Sequence, residues 1–216
     1  MMFIPEHFAQ RRIEVLHELM RTRPLATLVT LSPQGLNANH VPLHLSQEPA
    51  PFGTLRGHVA RENPIWQDFD ADAEVLAVFH GPEAYITPSW YPSKKRTGKV
   101  VPTWNYAVVH AYGRMKVIEE AAWLRAQLEA LTAQNEAAFA QPWHLDDAPP
   151  DYIARLTEAI VGLEIPITRL MGKWKTGQNQ PKEDRAGVAQ GLSASAGMTD
   201  AAAMAALMTE AGKGSA

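Results

Sequence analysis

From residue 25 to residue 118 strand-like runs follow one another with mostly turns and loops between them, and this succession most limits what the chain can fold into. "LATLVTL" (25–31), "LNANHVPLHL" (36–45), "GTLRGHVA" (53–60), "EVLAVFHG" (74–81) and "AYITP" (84–88) are rich in the apolar and β-branched residues that suit a pleated, half-buried surface. Ser32-Pro33-Gln34-Gly35, the stretch 49–53 and Gly81-Pro82 supply turn chemistry between them. The longest run, 101–118, alternates. Val101, Thr103, Asn105, Ala107, Val109, Ala111 and Gly113 share one face, while Trp104, Tyr106, Val108, His110, Tyr112 and Arg114 share the other. Successive strands without an intervening helix pair antiparallel, whereas a parallel pair needs a crossover of a dozen residues or more. There is no βαβ rhythm and no Gly-rich phosphate loop, which argues against a Rossmann fold, and an antiparallel barrel or sandwich is expected.

Helices decorate that sheet. Residues 5–22 read as helical, with Pro5 in the first turn, an apolar stripe through Phe8, Ile13, Leu16, Leu19 and Met20, and Pro24 as the stop. Glu119–Asn135 carries Leu124, Leu128 and Leu131 at helical spacing, and 151–161 carries Ile153, Leu156 and Ile160. Residues 162–175 read as a closing strand. The tail from 187 to 216 is rich in Gly, Ala and Ser. Within it "TDAAAMAALMTEAG" reads as a short helix with Thr199 at the N-cap and Gly212 past the end. The class is mainly β with appended α-helices. A body over 1–186 and a helical tail over 187–216 are expected. A net charge of −3 and a pI near 6.2 argue against a dedicated nucleic-acid binder. With no cysteine there is no disulfide framework or thiolate metal site, which fits a reducing cytosol. The N-terminus lacks an apolar signal core and no window approaches about 18 apolar residues, so a soluble, cytoplasmic protein is expected.

The densest chemistry lies in "GTLRGHVARENPIW" (53–66). Asn63 and Pro64 mark a helix start, as N-cap and first residue. Arg56, His58 and Arg61 precede it, and Gly57 allows close approach to the strand. A helix N-terminus with cations beside it suits an anion such as phosphate; an ordinary capped helix with surface arginines is the other reading. Pro42 limits the ladder in "NANHVPLHL", which places that strand at an edge or against a ligand. His40, His58, His80 and His110 all fall in strands, yet their spacing matches no metal motif. Trp90, Trp104 and Tyr106 flank a loop carrying Lys94, Lys95, Arg96 and Lys99. Such aromatics can wall a planar-ligand pocket or simply fill a core. No GxSxG or spaced Ser/His/Asp grouping points to a hydrolase.

Together "LATLVT", "NANHVPLHL", "GTLRGHVARENPIW", "GPEAYITPSWY", "VPTWNYAVVHAYGRM" and "EDRAGVAQGL" resemble the FMN-binding negative transcriptional regulators of the PaiB type. The resemblance implies an FMN-binding split β-barrel and a homodimer with FMN at the subunit interface; the lack of a long apolar window adds that no membrane association is expected. Carried onto this chain, His40, Val41 and Pro42 would line the isoalloxazine edge. Arg56, Gly57, His58, Val59, Arg61 and Asn63 would serve the phosphate, and Ser89, Trp90, Lys94, Trp104 and Asn105 the surrounding wall. In "GKWKTGQNQP" this chain departs from the family pattern: Gly177 stands in place of serine and Gln180 in place of arginine. The helices expected at 119–135 and 151–161 are too far apart for a helix-turn-helix, so direct DNA binding is doubtful and regulation would be indirect. An FMN-dependent oxidoreductase on a small substrate is the alternative.

Overall fold

The computed structural model describes residues 2–195, 197 and 199–213. Its elements are β1 (Ala9–Gln10), α1 (Ile13–Thr22), β2 (Leu25–Ser32), β3 (Gly35–Pro42), β4 (His44–Ser46), β5 (Thr54–Ala60), β6 (Val75–Ile86), α2 (Lys94–Thr97), β7 (Thr103–Gly113), β8 (Lys116–Ile118), α3 (Ala121–Glu136), α4 (Pro150–Glu158), β9 (Ile160–Lys175), α5 (Lys182–Ser193) and α6 (Ala201–Lys213). Single 3-10 turns lie at Glu6–Phe8, Pro64–Trp66, Pro88–Trp90 and Leu145–Asp147. Hydrogen-bonded neighbours in the sheet run β3-β2-β6-β7-β9-β5-β4, and β1 and β8 also pair with β9. Pairing is antiparallel for β2 with β3 and β6, for β5 with β4 and β9, and for β1 and β8 with β9.

The chain divides into two compact units, to both of which β6, β7 and β9 contribute. The first comprises Arg12–Phe79 and His110–Leu170. Its β2–β3 hairpin closes through Pro33 and Gln34, with Ser32 opposite Gly35. Gly35 has φ of 114°, a conformation open to glycine and costly to most other residues. Ala26, Leu28 and Thr30 face inward, with Ala77 and Phe79 of β6, Leu55 and Val59 of β5, and Val161, Leu163 and Ile165 of β9 also buried. Leu16, Leu19 and Met20 of α1 add to this core. Burying each Leu- or Phe-sized side chain contributes about 1.5–3 kcal/mol.

The second unit comprises Met1–Arg11, His80–Val109 and Met171–Ala216. Here Val188 and Leu192 of α5 and Met204, Ala205 and Met208 of α6 pack with Ala84, Ile86 and Tyr91. Asp184 of α5 accepts hydrogen bonds from the Ser93 backbone N–H at 3.0 Å and the Ser93 hydroxyl at 2.6 Å, tying the helix to the turn before α2.

Several boundaries differ from those the sequence suggests. The first helix begins at Ile13, because Ala9 and Gln10 pair as a short strand with Lys173 and Gly172. Gly81-Pro82 does not turn: β6 runs straight through both, since proline's fixed φ near −65° is compatible with extended backbone. The Pro-rich middle of 85–106 contains α2 and a 3-10 turn. All of 187–193 belongs to α5 despite Gly187 and Gly191. A Cβ at Gly191 would lie 2.4 Å from the Trp90 ring, and one at Gly187 would lie 2.3 Å from the Trp90 carbonyl oxygen. These glycines form the seat for Trp90 and do not break the helix. The last helix starts at Ala201, not after a Thr199 cap: the Met204 N–H donates to the Asp200 carbonyl at 2.8 Å, and Gly212 lies inside the helix.

Candidate functional site

Strand β5 sorts the phosphate candidates by its alternation. Leu55, Gly57 and Val59 face the core, and Val59 is buried there. Gly57 is needed because the protein's own chain approaches it. A Cβ there would lie 2.7 Å from Leu43 Cδ2 and 2.8 Å from the Pro42 carbonyl oxygen. Arg56 and His58 project from the other face, over which Trp123 and Gln127 of α3 lie. The Arg56 Nε–H donates to Glu164 at 3.2 Å, and its guanidinium lies 5.9 Å from the centre of the Trp123 ring. His58 Nδ1–H donates to Gln127 Oε1 at 2.8 Å.

Arg61 leaves the strand and is held from three directions. It donates to Glu119 at 2.6 Å, to the Glu158 carbonyl at 3.0 Å and to the Ile160 carbonyl at 3.2 Å. Asn63 caps as its sequence context suggests, its Oδ1 accepting from the Ile65 N–H at 3.0 Å. What it caps, however, is a three-residue 3-10 turn and not an α-helix, so the N-terminal field expected there does not exist. The Asn63 Nδ2–H donates to Asn39 Oδ1 at 2.9 Å, which ties this turn to β3. On β3, at the end of the strand order, His40 and Pro42 are exposed while Val41 is buried. His40 and Pro42 thus share the outer face of β3, while Asn39, on its opposite face, carries the link to Asn63 and the Arg61 turn. Val41, Gly57 and Val59 are core, and Arg56 and His58 are tied to neighbouring side chains.

The wall candidates of the other unit do not share one face. Trp104 and Asn105 are neighbours on β7 and point oppositely: Trp104 is 52% exposed, edge-on to Tyr85 at 5.9 Å, whereas Asn105 is 3% exposed. Trp90 is partly buried and packs against Gly187 and Gly191 of α5. Ser89 and Lys94 are exposed. Asn105 borders a cavity of about 140 Å³ that sequence reasoning missed, also lined by Lys175 and Arg185. Lys175 Nζ donates to Thr103 Oγ1 at 2.5 Å and to the Trp104 carbonyl at 2.7 Å. Burial pushes its ammonium below the usual lysine range; Tyr106 pulls it upward and Lys173 adds to the fall. Lys175, closing the run "GLEIPITRLMGKWK" two residues after Lys173, is the signal that was available. Gly177 on the rim has φ of 81°, so the departure from serine at this position matches its backbone. Among the described residues no group of three His, Cys, Asp or Glu side chains is placed to hold a metal, and no helix is long and apolar enough to cross a membrane.

Residues 2–169 match the family described as "Putative FMN-binding domain". The chain is 30% identical over 191 residues to protease synthase and sporulation protein PAI 2 of Bacillus subtilis, covering 88% of this chain and 89% of that one. It is 34% identical to an uncharacterized protein of Emericella nidulans, over 88% and 90% of the two chains. Among solved structures it resembles the conserved hypothetical protein Rv2991 of Mycobacterium tuberculosis, with TM-score 0.58, 12% identity and coverage of 83% and 94%. It also resembles the FAD and haem binding protein of Mycobacterium smegmatis, with TM-score 0.55, 18% identity and coverage of 84% and 80%. These structures support the fold, a mainly antiparallel split β-barrel with added helices. With this fold and the matched length, the chain belongs to the FMN-binding family of the PaiB type, whose cofactor is FMN.

Proposed function

We propose that this chain holds FMN along the β3 edge, with the phosphate at Arg61 and Asn63, and acts as a negative regulator of transcription without reading DNA itself. The observation that carries this reading is the Asn39–Asn63 hydrogen bond, which joins the edge strand to the Arg61 turn. The residues present fit the cofactor. The outward backbone groups of an edge strand, interrupted at Pro42, suit the polar rim of a flat ring. Arg61 and Glu119 form a pair whose side chains are 39% and 57% exposed; such pairs are worth about 0–1 kcal/mol, so a phosphate can displace the carboxylate. When bound, FMN supplies the redox chemistry, and the chain's residues hold and orient it.

A second copy of the chain completes the site in this reading. Leu31 lies opposite Leu36 and Leu25 opposite Pro42 on the outer face of the β2–β3 hairpin, and all four are exposed. Exposed apolar pairs at both ends of one sheet face suit an association surface. Leu36→Asp is expected to convert a dimer to a monomer in sedimentation velocity; an unchanged mass rejects that surface.

The regulatory role is indirect because the helices lack DNA-reading geometry. Residues 137–149 separate α3 from α4, and 194–200 separate α5 from α6, whereas a helix-turn-helix uses three or four. The same observation favours the second reading, an FMN-dependent oxidoreductase. Purified protein is expected to carry blue-absorbing flavin. Arg61→Ala combined with Asn63→Ala should weaken FMN by about 10- to 100-fold, the worth of one charge-assisted hydrogen bond. Riboflavin, which lacks the phosphate, should bind this variant as it binds the wild type. Equal loss of both ligands, or no loss of FMN, rejects the phosphate placement. Bleaching of the flavin by NAD(P)H selects the oxidoreductase; a salt-sensitive shift of promoter DNA contradicts indirect regulation.

A further inference from the structure

We propose that the cavity beside Asn105 is a binding site for a small organic oxyanion, a carboxylate or a phosphate monoester, distinct from the flavin phosphate position at Arg61. The charged side chains lining it are Lys175 and Arg185, and among the described lining residues there is no Asp or Glu. Neither cation is ion-paired among the described residues. This contrasts with Arg56, Arg61 and Arg96, each of which has a carboxylate partner. Two cations facing one space repel each other, and an anion between them relieves that repulsion. Burial already disfavours the charged form of Lys175.

The neutral groups point the same way. Lys175 Nζ spends two of its three N–H groups on Thr103 Oγ1 and the Trp104 carbonyl. The buried Asn105 amide donates to Met208 Sδ at 3.5 Å, a weak acceptor that an oxyanion oxygen would better. Val101 and Met208 supply apolar wall for a carbon body. A volume of about 140 Å³ exceeds what one water needs, so the space admits a headgroup with carbons attached.

The test uses the full chain in its flavin-bound form, titrated calorimetrically at low ionic strength with inorganic phosphate and separately with benzoate. Saturable binding of at least one is expected, weakening as salt is raised. Phosphate alone identifies a phosphate ester, and benzoate alone a carboxylic acid. Arg185→Gln should weaken that binding at least tenfold while flavin absorbance stays unchanged. Gln180→Glu, which sets a carboxylate on the exposed rim, should do the same and decides the matter if Arg185→Gln fails to fold. Three results overturn the proposal: no saturable binding of either probe, unaltered binding in the folded variants, or loss of flavin with Arg185→Gln. The last would make the oxyanion the flavin's own phosphate.

Discussion

Gly57→Ala separates a glycine kept for the fold from one kept for a ligand. The added Cβ would sit 2.7 Å from Leu43 Cδ2, 2.8 Å from the Pro42 carbonyl oxygen and 3.5 Å from Val41 Cγ1. The leucine tip is flexible, but Leu43 is itself almost fully buried, and the Pro42 oxygen belongs to the backbone. Reaching an ordinary C···O approach of about 3.3 Å requires the β3–β4 corner to retreat by roughly 0.5 Å. Overpacking of this kind costs about 1–3 kcal/mol. Alanine's smaller unfolded-state entropy returns about 0.4–1 kcal/mol. The net expectation is a loss of roughly 1–2 kcal/mol, or about 2–8 °C in Tm for a chain of this size. Urea unfolding of the flavin-free protein measures it directly. Flavin affinity should fall as well, because the displaced corner carries His40 and Pro42. A flavin-free variant within about 0.5 kcal/mol of wild type, with flavin affinity nevertheless lost, would refute this reasoning and assign the glycine to the ligand.

Burial lowers the pKa of both His17 and His44; the Phe52 carbonyl partly opposes this at His17, and the Arg21 and Arg56 charges add to it at His17 and His44 respectively. The unfolded chain therefore binds protons more readily than the folded one. Stability present above about pH 6.5 should decline as pH falls below that value, giving a lower Tm at about pH 5.5 than at about pH 7.5, and His17→Gln should flatten the decline. Asp184→Ala leaves the Ser93 N–H and hydroxyl without their acceptor in a nearly closed site, and should cost about 2–3 kcal/mol by urea unfolding, with faster hydrogen exchange at the Ser93 amide. Gly191→Ala gains about 1 kcal/mol of helix propensity but drives a methyl into the Trp90 ring, so tryptophan fluorescence should shift and Tm should fall.

Alternation made the sheet legible. The odd-numbered residues of β7 from Asn105 to Gly113 are buried, and the even-numbered ones are mostly half-exposed, as period two demands. Cations lie over the outer rings: Lys173 Nζ is 5.3 Å from the Tyr106 ring centre and Arg169 is 3.7 Å from that of Tyr112. The hairpin at Pro33-Gln34 and the Asn63 cap were equally readable, because both depend on adjacent residues. What failed depended on distant partners. Helix α5 was not read, and its second half fell in the tail assigned from residue 187, because its glycines are explained only by Trp90, about a hundred positions earlier. The cavity at Asn105 needs β7, β9, α5 and α6 together, and no local pattern announces such a convergence. The cations of the expected phosphate cradle show the converse. Cations close in sequence are visible, whereas the carboxylates that neutralise them come from 108 and 58 positions away.

Those carboxylates decide which arginine an incoming phosphate can recruit. Glu164 is only 16% exposed and binds both Arg56 and, at 3.8 Å, Lys116. Drawing Arg56 away would leave the mostly buried Glu164 with only the more distant Lys116, and leaving such an acceptor short of a partner costs about 1–3 kcal/mol. The Arg61–Glu119 pair is open to water on both sides, so its exchange costs at most about 1 kcal/mol. FMN affinity should therefore follow Arg61, while Arg56 should govern stability. Arg56→Met is expected to lower the urea midpoint and to weaken FMN and riboflavin equally, through the fold. Arg61→Ala should weaken FMN at least about tenfold and leave riboflavin untouched, the signature of a lost phosphate contact. If Arg56→Met instead spares riboflavin and abolishes FMN binding, the phosphate reaches beneath α3, and exposure of the ion pairs does not control the choice of cation.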